Sequence, residues 1–78
     1  PNGNTTASNT PQITAEQAQA TALAHAGFTT EQVTGLRTEY EVDDGISHYD
    51  VKFYRDRLEY DYEINAETGE IISFEMDD

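Results

Sequence analysis

Leu58, Tyr60, Tyr62 and Ile64 alternate strictly with Glu59, Asp61 and Glu63, and this run constrains the fold more than any other part of the chain. A strand turns successive side chains to opposite faces. Apolar and acidic residues at period two therefore describe a half-buried strand with one oily and one acidic face. Asn65-Ala66-Glu67-Thr68-Gly69 breaks the alternation with turn-forming residues, and it resumes from Glu70 to Met76. Two such strands joined by an Asn-to-Gly loop make a β-hairpin. The pattern describes a scaffold and a surface, and it holds nothing that looks like an active site.

In the second strand of that hairpin two registers compete. Ile72, Phe74 and Met76 form one face, and Ile71, Ser73 and Glu75 form the other. We place Ile72 and Phe74 in the core, with Ile71 partly covered at the strand start. Two further strands are expected upstream. One runs from about Leu36 to Val42, with Leu36, Tyr40 and Val42 on one face. The other runs from about Ser47 to Arg55, with Tyr49, Val51 and Phe53 inward and His48, Asp50, Lys52 and Tyr54 outward. Asp43-Asp44-Gly45 between them suits the positive φ values of a tight hairpin. Arg55-Asp56-Arg57 is a short polar reversal. All three β connections are short, which predicts an antiparallel meander.

A helix precedes the strands. Thr14 is a good N-cap, Gln17 completes a capping box, Ile13 can staple onto Ala18, and Gly27 is a natural C-cap after Ala26, with Phe28 placed to touch Leu23. Ala15, Ala18, Ala22 and Ala26 form one stripe beside Leu23. Small side chains let the helix approach its partner closely, and the aromatic strands supply the missing bulk. Thr29 or Thr30 can cap a single turn through Val33. The fold class is thus α+β: one N-terminal helix packed on a four-stranded antiparallel meander. Residues 1–12, rich in Ser, Thr and Asn with two Pro, have linker composition and are expected to be disordered, with the domain spanning 13–78.

Seventy-eight residues make one small domain, which buries only about 60% of its unfolded surface. Five Tyr and three Phe supply core bulk, and the absence of Cys excludes disulfides and thiolate metal sites. No apolar run is long enough to span a bilayer as a helix, so any anchor or export signal is expected outside this segment. Sixteen acidic residues face four basic ones, for a net charge of −12, and all the acids but Glu16 and Glu31 fall after residue 38. Such a surface repels phosphate backbones and anionic lipid heads, which disfavours nucleic-acid and membrane-surface roles. A solvated acidic face is its simplest reading.

Candidate chemistry is sparse. His25 and His48 lie on different elements, and neither has a second His at zinc-ligand spacing, so no metal ligand is assigned. His25, in the last helical turn, suits a capping role toward the helix dipole. Glu59, Asp61 and Glu63 line an exposed strand face, where no pocket separates one carboxyl from another for acid/base work. Weak Ca²⁺ binding by clustered carboxylates is an alternative, although no EF-hand spacing is present. There is no Gly-x-Ser-x-Gly elbow and no Gly-rich phosphate loop. No catalytic residue and no cofactor is assigned. Lys52, Tyr54, Arg55 and Arg57 form the one small basic and aromatic patch and are the candidate partner-binding residues. The simpler account of its cations is that they neutralise Glu59, Asp61 and Glu63 across the hairpin.

The chain resembles the PepSY domain family. The resemblance rests on Ile13-Thr14-Ala15-Glu16-Gln17-Ala18, Ala22-Leu23 and Gly27 in the helix, on Tyr49-Asp50-Val51-Lys52-Phe53, and on the run from Tyr62 to Ile72. Order and spacing together carry it over residues 13–76. It implies a cystatin-like helix on a curved sheet and a non-catalytic module of an exported protein. It also implies a role in binding and inhibiting or regulating a peptidase, as in the propeptides of thermolysin-like metallopeptidases. An extracellular or cell-surface location is implied with it. A spacer or protein-interaction domain of a larger surface protein or lipoprotein is the alternative, and the weak calcium-responsive module is a third. The family has no catalytic motif to carry over, and no HExxH is present.

Overall fold

The computed structural model describes residues 12–78. The expected linker lies outside the described residues except for Gln12, whose N–H donates to the Ala66 carbonyl at 2.9 Å. Helix α1 spans Ala15–Ala26. The Thr14 hydroxyl accepts the Gln17 N–H at 3.1 Å, and Gln17 Oε1 accepts the Thr14 N–H at 2.8 Å. Two donors with no partner inside the helix are thereby satisfied. At the other end the Gly27 N–H reaches the Ala24 and Leu23 carbonyls, and the Phe28 N–H reaches that of Leu23. This is the Schellman closure that the Ala26-Gly27-Phe28 sequence encodes. A single 3₁₀ turn, Thr30–Gln32, follows, its start tied by Thr29 N–H donating to Gln32 Oε1 at 2.9 Å.

Four strands complete the chain: β1 (Thr34–Asp43), β2 (Ile46–Arg55), β3 (Leu58–Asn65) and β4 (Ile71–Asp77). They lie in sequence order and pair antiparallel, so the fold is the α+β meander that the short connections dictate. The β1–β2 turn is Asp44-Gly45, with φ of 54° and 75°, the left-handed pair that a two-residue turn requires. Asn65 organises the last turn. Its side-chain oxygen accepts the Glu67 and Thr68 N–H groups while its carbonyl accepts that of Gly69.

The core sits between α1 and the inner face of the sheet. Ala18 and Ala22 are fully buried and Leu23 nearly so, against Val51, Phe53, Tyr62 and Ile64. Phe53 and Tyr60 stack at 5.1 Å between centroids, and Tyr62 stacks on Phe74 at 4.6 Å. The Tyr49 hydroxyl donates to the Ile13 carbonyl at 3.0 Å and ties the helix start to β2. The alanine stripe brings the helix close, and the aromatic rings fill the space that it leaves.

One placement differs from expectation. Glu63 pairs with Ser73 but Ile64 pairs with Ile71, so β4 carries a bulge at Ile72. The extra residue shifts the alternation by one. Ile71 therefore packs on the core, and Ile72 turns outward, 48% exposed. Phe74 keeps its inward face on Tyr62, yet it remains 39% exposed. The helix lies over β1, β2 and β3 and meets β4 through the His25 ring against Phe74.

Candidate functional site

Strand pairing writes the outer face of the sheet as rows of charge. Glu39, Asp50, Glu63 and Ser73 stand side by side across the four strands, and Arg37, Lys52, Asp61 and Glu75 form the next row. Like charges directly opposite one another destabilise a sheet, so the first row favours a counter-cation, whereas the second carries two cations of its own. Lys52 is one of these. Its ammonium lies 3.3 Å from Glu59 and 4.0 Å from Asp61. The hydrogen bond to Glu59, with the charges of Glu59 and Asp61, raises its pKa.

Lys52, Tyr54, Arg55 and Arg57 do not form one cluster. Lys52 and Tyr54 share the outer face because they are two residues apart on β2. The Tyr54 ring closes over Gly35, where a Cβ would meet the ring at 2.9 Å. Arg55 turns to the opposite side. Its Nη1 donates to the Gln32 carbonyl at 2.9 Å, and its guanidinium stands 5.2 Å from the Phe28 ring centroid. Arg57 lies exposed in the β2–β3 turn. Strand alternation places residue 55 on the opposite face from 52 and 54, although the three are close in sequence. Lys52 does neutralise Glu59 and Asp61, whereas Arg55 serves to fasten the 3₁₀ turn to the sheet.

His25 Nδ1 pairs with the Tyr62 hydroxyl at 2.9 Å, and the imidazole packs edge-on against Tyr62 and Phe74. The second histidine is less expected. His48 faces the outer side of the sheet, yet it is only 6% exposed. Its Nε2 lies 3.5 Å from Glu41, 3.8 Å from Asp50 and 4.0 Å from Glu63. Burial first, then the charge of Glu41, raises the Asp50 pKa, while His48 pulls it down. His48 and Asp50 at i, i+2 were visible in the sequence. What brings Glu41 and Glu63 to them is the register, with Glu41 opposite His48 and Glu63 opposite Asp50.

The third feature is an edge. β1 and β4 are the outer strands, and β4 carries Phe74 and Met76 on its core-facing side, Phe74 against His25 of the helix and Met76 53% exposed. No helix among the described residues is long and apolar enough to cross a membrane. The concavities of the outer face are shallow and open, one lined by Asp61, Glu63, Ser73 and Glu75 and another by Asp43, Asp44, Ile46, His48, Glu63 and Ile72.

No curated protein and no solved structure matches the chain. The family model for the peptidase propeptide and YPEB domain matches residues 12–75, which takes in the capped helix and all but the last residues of the sheet. With that match over most of its length, and with the helix-then-meander fold on which the residues converge, the chain belongs to the PepSY family.

Proposed function

We propose that the chain is a non-catalytic PepSY module of an exported protein that binds a peptidase and holds it in check, with a thermolysin-like metallopeptidase as partner. Family membership supports a peptidase-propeptide-like module, and PepSY domains are typical of exported proteins. The observation that carries the reading is β4. It is an edge strand whose inner-face Phe74, in contact with His25 of the helix, and Met76 stay 39% and 53% exposed. An edge offers free backbone N–H and C=O groups to an extended segment of a partner, and neighbouring apolar side chains add affinity and register. A steric inhibitor needs a rigid body and a complementary surface but no chemistry of its own. Lys52 and Tyr54 on the outer face are a second contact surface in this reading, with Arg57 at the rim and Arg55 bracing the turn beside it.

The test is a thermolysin-like peptidase assay with the purified chain titrated in and its own digestion followed in parallel. Dose-dependent inhibition by undigested chain is the expected outcome. Absence of inhibition at high micromolar concentration, with the chain intact, would move the function to a spacer or interaction role in a larger surface protein.

A further inference from the structure

Glu41, His48, Asp50 and Glu63 come from three strands, and no two of them adjoin in sequence. We propose that Glu41, His48 and Asp50 form a site for a divalent transition-metal cation, with His48 Nε2 as the nitrogen ligand, carboxylate oxygens as the others, and Glu63 adding negative charge beside them.

The first argument is the state of His48. Its side chain is 8% exposed, and Nε2 is aimed into a group of carboxylates. The nearest of those oxygens is 3.5 Å away, beyond the 2.7–3.2 Å of an ordinary N–H···O bond. Among the described residues no hydrogen bond of ordinary length reaches this nitrogen. Its partners are the three carboxylates, held at ion-pair rather than hydrogen-bond distance. The second argument is spacing. Ligands held about 2.1 Å from a tetrahedral Zn²⁺ stand roughly 3.4 Å from one another. The distances from Nε2, 3.5, 3.8 and 4.0 Å, lie a few tenths beyond that edge. One ligand atom each from Glu41, His48 and Asp50 all lie within 4.8 Å of one another. A cation at their centre would draw them inward rather than rearrange them.

Electrostatics points the same way. Glu39, Asp50 and Glu63 form one like-charge row and Glu41 adjoins it; Arg37 pairs with Glu39 at the β1 end, and Lys52 is engaged with Glu59 and Asp61. The ligand chemistry selects the metal class. Imidazole with carboxylates suits Zn²⁺ and its first-row neighbours, whereas Ca²⁺ takes oxygen ligands. Bound there, the cation would link β1 to β2 on the face opposite the helix.

Zn²⁺ is the probe, titrated into the chain and followed by calorimetry, by melting temperature and by NMR of the two imidazoles. The expected result is saturable binding that shifts the His48 ring nitrogens and leaves those of His25 in place. Glu41→Gln, at an exposed position, should weaken Zn²⁺ binding about tenfold or more, while Glu31→Gln on the 3₁₀ turn leaves it unchanged. His48→Gln should abolish it. If that variant fails to fold, Glu41→Gln and the NMR carry the test alone. No saturable binding, a response at His25 instead of His48, affinity indifferent to Glu41→Gln, or an equal response to Ca²⁺ would each overturn the site. None of these outcomes depends on whether the chain inhibits a peptidase.

Discussion

Tyr62 is fully buried, stacks against both Phe53 and Phe74, and reaches His25 Nδ1 through its hydroxyl. Burial, and then the neighbouring Tyr60, raises its pKa above the ordinary 10.0. The sign follows from linkage. The folded chain holds this proton to higher pH than the unfolded chain, so folding is favoured fully below about pH 10 and loses stability as pH rises through the raised value. Tyr49, raised chiefly by burial, acts in the same direction. Tyr62→Phe keeps the stacking and removes the hydroxyl. It should cost about 1 kcal/mol near neutral pH, the scale of one hydrogen bond, and flatten the alkaline loss of stability. Urea melts near pH 7 and at about pH 11 measure both effects. An alkaline limb as steep as that of the parent chain would place the titration elsewhere. That Tyr62 faces inward was legible from its alternation with Asp61 and Glu63. Its pairing with His25, 37 residues earlier, was not.

At the scale of elements, α1 and the turns are local constructions. Thr14 with Gln17, Gly27 with Phe28, and Asp44 with Gly45 each settle their geometry within a few residues, and each lies where the sequence put it. β4 is different. Its bulge at Ile72 depends on how β4 pairs with β3 across the turn, and the apolar pattern is equally compatible with an unbroken strand. The consequence is functional, because β4 retains exposed apolar groups along an open edge. Met76 is 53% exposed, so Met76→Lys should change stability by under about 0.5 kcal/mol. In the peptidase reading the same change should weaken inhibition about tenfold, since it puts a charge into the apolar centre of the contact. Melting temperature and inhibition measured on one preparation separate the two effects. Unchanged inhibition would remove β4 from the interface.

Across the whole molecule, charge has the widest influence. A net −12 on 78 residues, with like charges facing one another across β1, β2 and β3, means that the folded state works against its own field. Salt shortens the reach of that repulsion to about 10 Å at 0.1 M and less above it. Raising NaCl from about 20 mM to 0.5 M should therefore raise the melting temperature, by about 4 °C if 1 kcal/mol of repulsion is relieved. A fall would mean that attractive pairs such as Lys52 with Glu59 outweigh the repulsion. The same experiment fixes the baseline against which a metal-specific gain is judged.

The sequence by itself determined the helix and its caps, the four strands and their order, the tight turns and the acidic outer face. Each of those rests on signals spanning a few residues, or on connections too short to allow another topology. Only the tertiary structure decided which isoleucine of β4 enters the core, which edge stays uncovered, and that His48 is buried among Glu41, Asp50 and Glu63. Those outcomes depend on strand register and on contacts between residues distant in the chain, where a shift of one position exchanges the two faces of a strand.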